Sequence, residues 1–193
     1  MSSHRHTRTR SAIALAAAIA ASGSEAATLK GVTMPDSLRV GGTALVLNGL
    51  GVREATALKV KVYVMGLYLT ERSGDKAAIV ASTGPKHVVQ QYVRDLAAKD
   101  LLGGWKESFA RNSLDLAPVQ AEYDKFLSYM TDIKKGEQIV IDFIEDRVET
   151  TVKGQKKDPI QSAAFQKALL LVWLGPNPPC ASLQTGILGA AGR

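Results

Sequence analysis

Between residues 37 and 152 apolar positions alternate with polar ones in short blocks, and two stretches of helical spacing interrupt them. The longest block, residues 58–69 (LKVKVYVMGLYL), is dense in β-branched and aromatic residues and broken only by Gly66, which predicts a strand. Leu58, Val60, Val62, Val64 and Tyr68 fall on one face. Lys59, Lys61, Tyr63, Met65, Leu67 and Leu69 fall on the other. Because its second half is apolar on both faces, the strand is expected at the centre of a sheet covered on both sides, with Tyr63 where the second face turns from lysines to hydrophobes.

Upstream, residues 37–40 and 44–48 flank Gly41-Gly42 as a hairpin, and Asn48-Gly49-Leu50-Gly51 reads as a turn before Val52-Arg53. Residues 87–94 form a short strand. Residues 136–144 and 148–152 alternate through Ile139, Ile141, Phe143, Val148, Thr150 and Val152, and pair across the acidic turn Glu145-Asp146. Such short connections make the sheet antiparallel.

Three helices are predicted. Residues 98–112 carry Leu101, Trp105, Phe109 and Asn112 on one face, and Gly103-Gly104 suggests close packing or a break. Pro118 opens a helix presenting Val119, Tyr123, Phe126, Met130 and Ile133. Residues 162–174 are apolar on most sides, which demands burial, and Gly175 followed by Pro176, Pro178 and Pro179 ends them.

The N-terminus has a different character. His4, Arg5, His6, Arg8 and Arg10 precede an unbroken small and apolar run from Ser11 to Ala21, and Ser24-Glu25-Ala26 offers small residues for cleavage before Ala27. That run falls well short of the roughly 20 residues that span a bilayer, so residues 1–26 read as a secretory signal and residues 27–193 as one exported domain. The product is periplasmic in a Gram-negative source and secreted otherwise, with no transmembrane segment in the mature chain. Removing the signal takes away three arginines and one glutamate, leaving 21 bases against 17 acids. The bases are scattered among the acids, which argues against a nucleic-acid partner. With 46% hydrophobic and 22% charged residues the chain has the makings of a folded core, and its single cysteine cannot close an internal disulfide.

Familiar catalytic groupings are sparse. His87 is the only histidine of the mature chain, and with Cys180 alone it cannot build a zinc centre, so neither metal nor cofactor is expected. Asp142, Glu145, Asp146 and Glu149 read as a solvated hairpin, and Cys180 as an unpaired thiol. Gly49-Leu50-Gly51 leads into a strand, unlike a phosphate-binding loop. What remains is Arg53 beside a glycine-rich segment, which spacing alone reads as a surface arginine.

Three segments shift that reading: LNGLGVR at residues 47–53, KVYVMGLYL at 61–69 and ALLLVWLG at 168–175. In this order they resemble the chalcone isomerase superfamily, above all its exported bacterial branch, and the similarity runs from about Pro35 to Leu188. The resemblance implies an α+β open-faced β-sandwich: an antiparallel sheet, a helical layer over one face and a ligand cleft between them. It places Arg53 in the cleft. It also places Tyr63 where the enzymes have a catalytic threonine, Trp105 where they have a catalytic tyrosine and Ser108 on a binding lysine, while Asn112 keeps the asparagine. An indole can donate a hydrogen bond but cannot exchange a proton as a phenol does.

The expected function is therefore non-catalytic binding of a fatty acid or similar small amphipathic acid. Arg53, Tyr63, Trp105 and Asn112 are its ligand residues. A guanidinium presents a rigid fork of donors to a carboxylate, and Met65, Leu101, Trp105 and Phe109 could line an apolar slot or simply fill the core. The alternatives are an intramolecular lyase or isomerase acting on a small enone or phenolic substrate, with Arg53 as its catalytic residue, and a protein-interaction module.

Overall fold

The computed structural model describes residues 26–55, 58–112 and 115–189. The expected secretory signal, save Ala26, lies outside them. Ten strands are present among the described residues: β1 (Ala26–Leu29), β2 (Val32–Pro35), β3 (Ser37–Val40), β4 (Thr43–Ala55), β5 (Val60–Leu69), β6 (Lys86–Tyr92), β7 (Gln138–Ile144), β8 (Arg147–Val152), β9 (Gln155–Lys156) and β10 (Ile160–Gln161). Five α-helices accompany them: α1 (Lys76–Ala81), α2 (Ala98–Arg111), α3 (Gln120–Ser128), α4 (Ala163–Leu174) and α5 (Ala181–Ile187).

The main sheet runs β10-β8-β7-β6-β5-β4-β3, with β9 beside β8, and every pairing is antiparallel. This is an α+β fold with a helical layer over one face. As its two-sided hydrophobicity requires, β5 sits inside the sheet between β4 and β6. Tyr63, Met65, Leu67 and Leu69 enter the core beneath the helices. Val64 and Tyr68 enter a second core on the opposite face, closed by Val32 and Met34 of the β1–β2 hairpin. The sandwich is thus less open than the sequence implied, because a hairpin missed there shields part of its outer face.

The helices form where their ends are satisfied and one side can be buried. Ser162 Oγ accepts from the Phe165 amide at the start of α4, and Asp75 caps α1 through the amides of Ala77 and Ala78. At the start of α2 the Ala98 amide donates to Asp132 Oδ1 over 2.7 Å, a cap supplied from a distant loop. Gly103-Gly104 neither breaks α2 nor receives a close neighbour, since a Cβ at either position would meet nothing within 4 Å. Pro118 lies in a 3-10 turn (Ala117–Val119) that leads into α3. α3 ends at Ser128, so Ile133 reaches the core beyond the helix, bridged to Leu96.

The second departure from expectation involves Gly49 and Gly51. They lie within β4, which runs unbroken from Thr43 to Ala55, its register with β5 shifting between Leu47 and Gly49 and again between Arg53 and Glu54, opposite Val62. α5, unforeseen in the sequence, presses on them. A Cβ on Gly51 would strike the Leu183 carbonyl oxygen and lie 2.9 Å from its Cα, and one on Gly49 would strike the Gly186 carbonyl oxygen. Glycine here makes room for a helix instead of turning the chain. Gly49, Gly51 and Arg53 alternate onto the same face of β4, so Arg53 emerges just past the N-terminal end of α5.

Candidate ligand cavity

A cavity of about 280 Å³ lies between the helical layer and strands β4, β5 and β6. Strand register assembles its floor. Arg53 pairs with Tyr63 across β4 and β5, and Tyr63 with Tyr92 across β5 and β6, setting the three side chains in one row. Tyr63 and Tyr92 pack with ring centroids 5.4 Å apart. Leu101, Gly104, Trp105 and Ser108 of α2 and Val172 and Trp173 of α4 form the roof, while Arg94, Asp100 and Glu107 also line the cavity.

Charge and hydrogen bonding are uneven across this lining. Among the described residues Arg53 joins no ion pair, and its one hydrogen bond goes from Nη1 to the Glu54 carbonyl across the adjacent bulge. Most of its donor fork is thus uncommitted. Tyr63 is buried, and burial pushes its hydroxyl up to about 12 against the opposing pull of the Arg53 cation and the nearby Trp173 indole. At neutral pH it is a neutral donor. Tyr92 is also raised, by burial and by Tyr63, and its hydroxyl donates to Gln90 Oε1 over 3.3 Å.

Two donors are left over. Trp105 Nε1 and Trp173 Nε1 are buried, and neither has a hydrogen-bond partner among the described residues. The Trp173 indole nears the Tyr63 hydroxyl closely enough to favour its anion, yet falls short of hydrogen-bond geometry. Both rings are held firmly: Trp105 meets Phe126 edge-on at 4.9 Å and Trp173 at 5.7 Å. A buried donor without an acceptor costs about 1–3 kcal/mol, a cost the aromatic packing around both rings must offset.

Of the residues singled out in the sequence, Arg53, Tyr63, Trp105 and Leu101 meet at this cavity. Met65 and Phe109 go to the core. Asn112, expected as a ligand residue, is not among the residues that line this cavity. It is the C-cap of α2, and its Nδ2 donates to the Ser108 and Asn177 carbonyls while its Oδ1 accepts from the Asn177 amide at 3.0 Å. With these bonds it clamps the helix to the loop after α4, away from the cavity lining. Asn112→Ala is expected to lower the melting temperature, by about 1 kcal/mol of lost hydrogen bonding, without changing affinity for a cavity ligand. Thermal melts and ligand titration on the same variant check this.

The sequence reading missed Trp173, Tyr92, Gln90 and Arg94. Tyr92 was findable only through register, and Trp173 only by asking where a buried indole N–H finds its acceptor. Outside the cavity, His87 Nδ1 pairs with Asp142 Oδ1 at 2.6 Å, and Glu149 is held low by Lys156 and Arg147. The acidic hairpin is therefore an ion-paired surface. Cys180 Sγ bonds the Val52 carbonyl and the Glu54 amide at 3.4 and 3.5 Å, tying α5 to β4 near Arg53.

Residues 26–189 match the chalcone isomerase-like family, nearly the whole described chain. The chain belongs to that family. Among solved structures, a fatty-acid binding protein of Arabidopsis thaliana superposes with a TM-score of 0.69 at 15% identity, over 86% of this chain and 96% of that one. At such identity the likeness speaks for the fold. A search among curated proteins finds no match. In this chalcone isomerase-like chain the helix-to-sheet cavity occupies the place the resemblance assigned to the cleft. Among the described residues no helix is long and apolar enough to cross a membrane.

Proposed function

We propose that this chalcone isomerase-like protein is exported and binds a fatty acid or similar small amphipathic acid without transforming it. The observation that carries the reading is the donor pair at one cavity: the largely uncommitted Arg53 guanidinium and the neutral Tyr63 hydroxyl. Donors without acceptors call for a ligand rich in acceptor oxygens, and a guanidinium calls for an anionic one. The apolar remainder of the wall, with Val62, Leu96, Leu101 and Val172, suits a hydrocarbon tail. The shared fold of a fatty-acid binding protein supports the same ligand class. Export rests on the basic start and apolar run of the first 26 residues.

The competing reading, an intramolecular lyase acting on an enone, would use Arg53 to stabilise an enolate. It has less support: Trp105 stands where the resemblance places the enzymes' catalytic tyrosine, and an indole cannot exchange a proton as a phenol does. Native mass spectrometry of gently purified protein is expected to show one bound acid per chain, removable by delipidation and restored by added dodecanoate. A cavity empty before and after that addition would sink the binding reading. Turnover of naringenin chalcone well above its spontaneous rate would put the lyase in its place.

A further inference from the structure

Two glycines stand side by side in the middle of α2, a position where glycine is among the least favourable residues. Packing does not require them. Neither has a positive φ, and a Cβ added at either would meet no neighbour within 4 Å. Gly103 is exposed, but Gly104 lines the cavity. Four residues on, Ser108 folds its hydroxyl back to the Gly104 carbonyl over 2.7 Å, which keeps that side chain against the helix. Gly104 and Ser108 thus form a notch along the cavity face of α2, next to Leu101 and Trp105. Space is limiting here, since about 280 Å³ is at the small end of the roughly 300–1,000 Å³ typical of ligand pockets.

Resting on the acid-binding reading, we infer that the notch at Gly104 receives the ligand's alkyl tail and sets the longest chain the cavity accepts. A carboxylate anchored at Arg53 and Tyr63 on the sheet side sends its tail toward α2. There Leu96, Leu101 and Gly104 supply apolar surface, and the carboxylate of Asp100 disfavours the reverse orientation, while that of Glu107 is paired with Arg111. A side chain at position 104 takes the room of several methylenes. It penalises long acids and spares short ones.

The test titrates dodecanoate and hexanoate into delipidated wild-type protein and into Gly104→Leu, Gly104→Ala and Gly103→Leu, by calorimetry or displacement of a fluorescent probe. Gly104→Leu is expected to weaken dodecanoate by about tenfold or more and hexanoate by less than about threefold. Gly104→Ala should shift the ratio the same way by less, which keeps the test valid if the leucine variant folds poorly. Gly103→Leu, on the exposed side, should leave both affinities within about twofold. Equal loss of both acids on substitution of Gly104, as when the carboxylate sits at Arg94, overturns the inference, and so does no loss of either. Failure of the wild-type protein to bind both acids overturns the acid-binding reading itself.

Discussion

Replacing Arg53 with alanine is expected to weaken binding of a fatty acid by roughly 10- to 150-fold. Charge-assisted hydrogen bonds contribute about 1.5–3 kcal/mol net, and about 1.4 kcal/mol is a factor of ten. Arg53→Lys retains the charge but loses the planar fork, so its loss should fall between wild type and alanine. The effect on the empty protein should be small. Alanine removes one hydrogen bond to the Glu54 carbonyl at a half-buried strand position, and it also relieves the desolvation of a cation that has no ion-pair partner among the described residues. The two contributions oppose each other. Affinity is to be measured by calorimetry with dodecanoate, and stability by melting without ligand. Unchanged affinity with a melting temperature several degrees lower would make Arg53 a strand-bulge residue and remove it from the site.

A large loss of stability is expected on substitution of Gly51. A methyl group there collides with backbone, the Leu183 carbonyl, which cannot rotate away as a side chain would. Overpacking of this kind costs about 1–3 kcal/mol, and each kcal/mol moves the melting temperature of a domain this size by about 2–4 °C. Gly51→Ala should therefore melt several degrees lower, and Gly51→Val lower still as α5 is pushed off β4. Affinity should fall with it, because the displaced helix carries Cys180 at its N-cap and is tied beside Arg53 through the Val52 carbonyl. Had these glycines formed a turn with open space above it, alanine at position 51 would be tolerated. Wild-type melting of Gly51→Ala would contradict the close approach of α5.

The contrast with Gly103-Gly104 shows that a glycine in the sequence does not declare its reason. Gly51 is under a helix backbone and Gly104 beside empty space, yet both stand as small residues in an apolar context. Only the neighbours brought in by folding separate them. The same holds for the tryptophans. Burial of Trp173 follows from an apolar helix, but its unpaired N–H is visible only once every nearby acceptor has a position.

Period and composition by themselves determined the strand that carries Tyr63. Residues 58–69 could bury both faces only as an inner strand, and β5 is one, with Tyr63 on the helix side as alternation demands. The β7–β8 hairpin, the helical core of α2 and the end of α4 at Gly175 were equally local, because each depends on residues a few positions apart. The family motifs fixed the α+β arrangement and led to Arg53. Tertiary structure decided the rest. It set Arg53, Tyr63 and Tyr92 in one row through register, bonded Asn112 to the loop after α4, and laid α5 on Gly49 and Gly51. These outcomes join residues far apart in the chain, as Gly51 and Leu183 are. Their energies come from steric exclusion and hydrogen-bond satisfaction between surfaces that meet only in the folded protein.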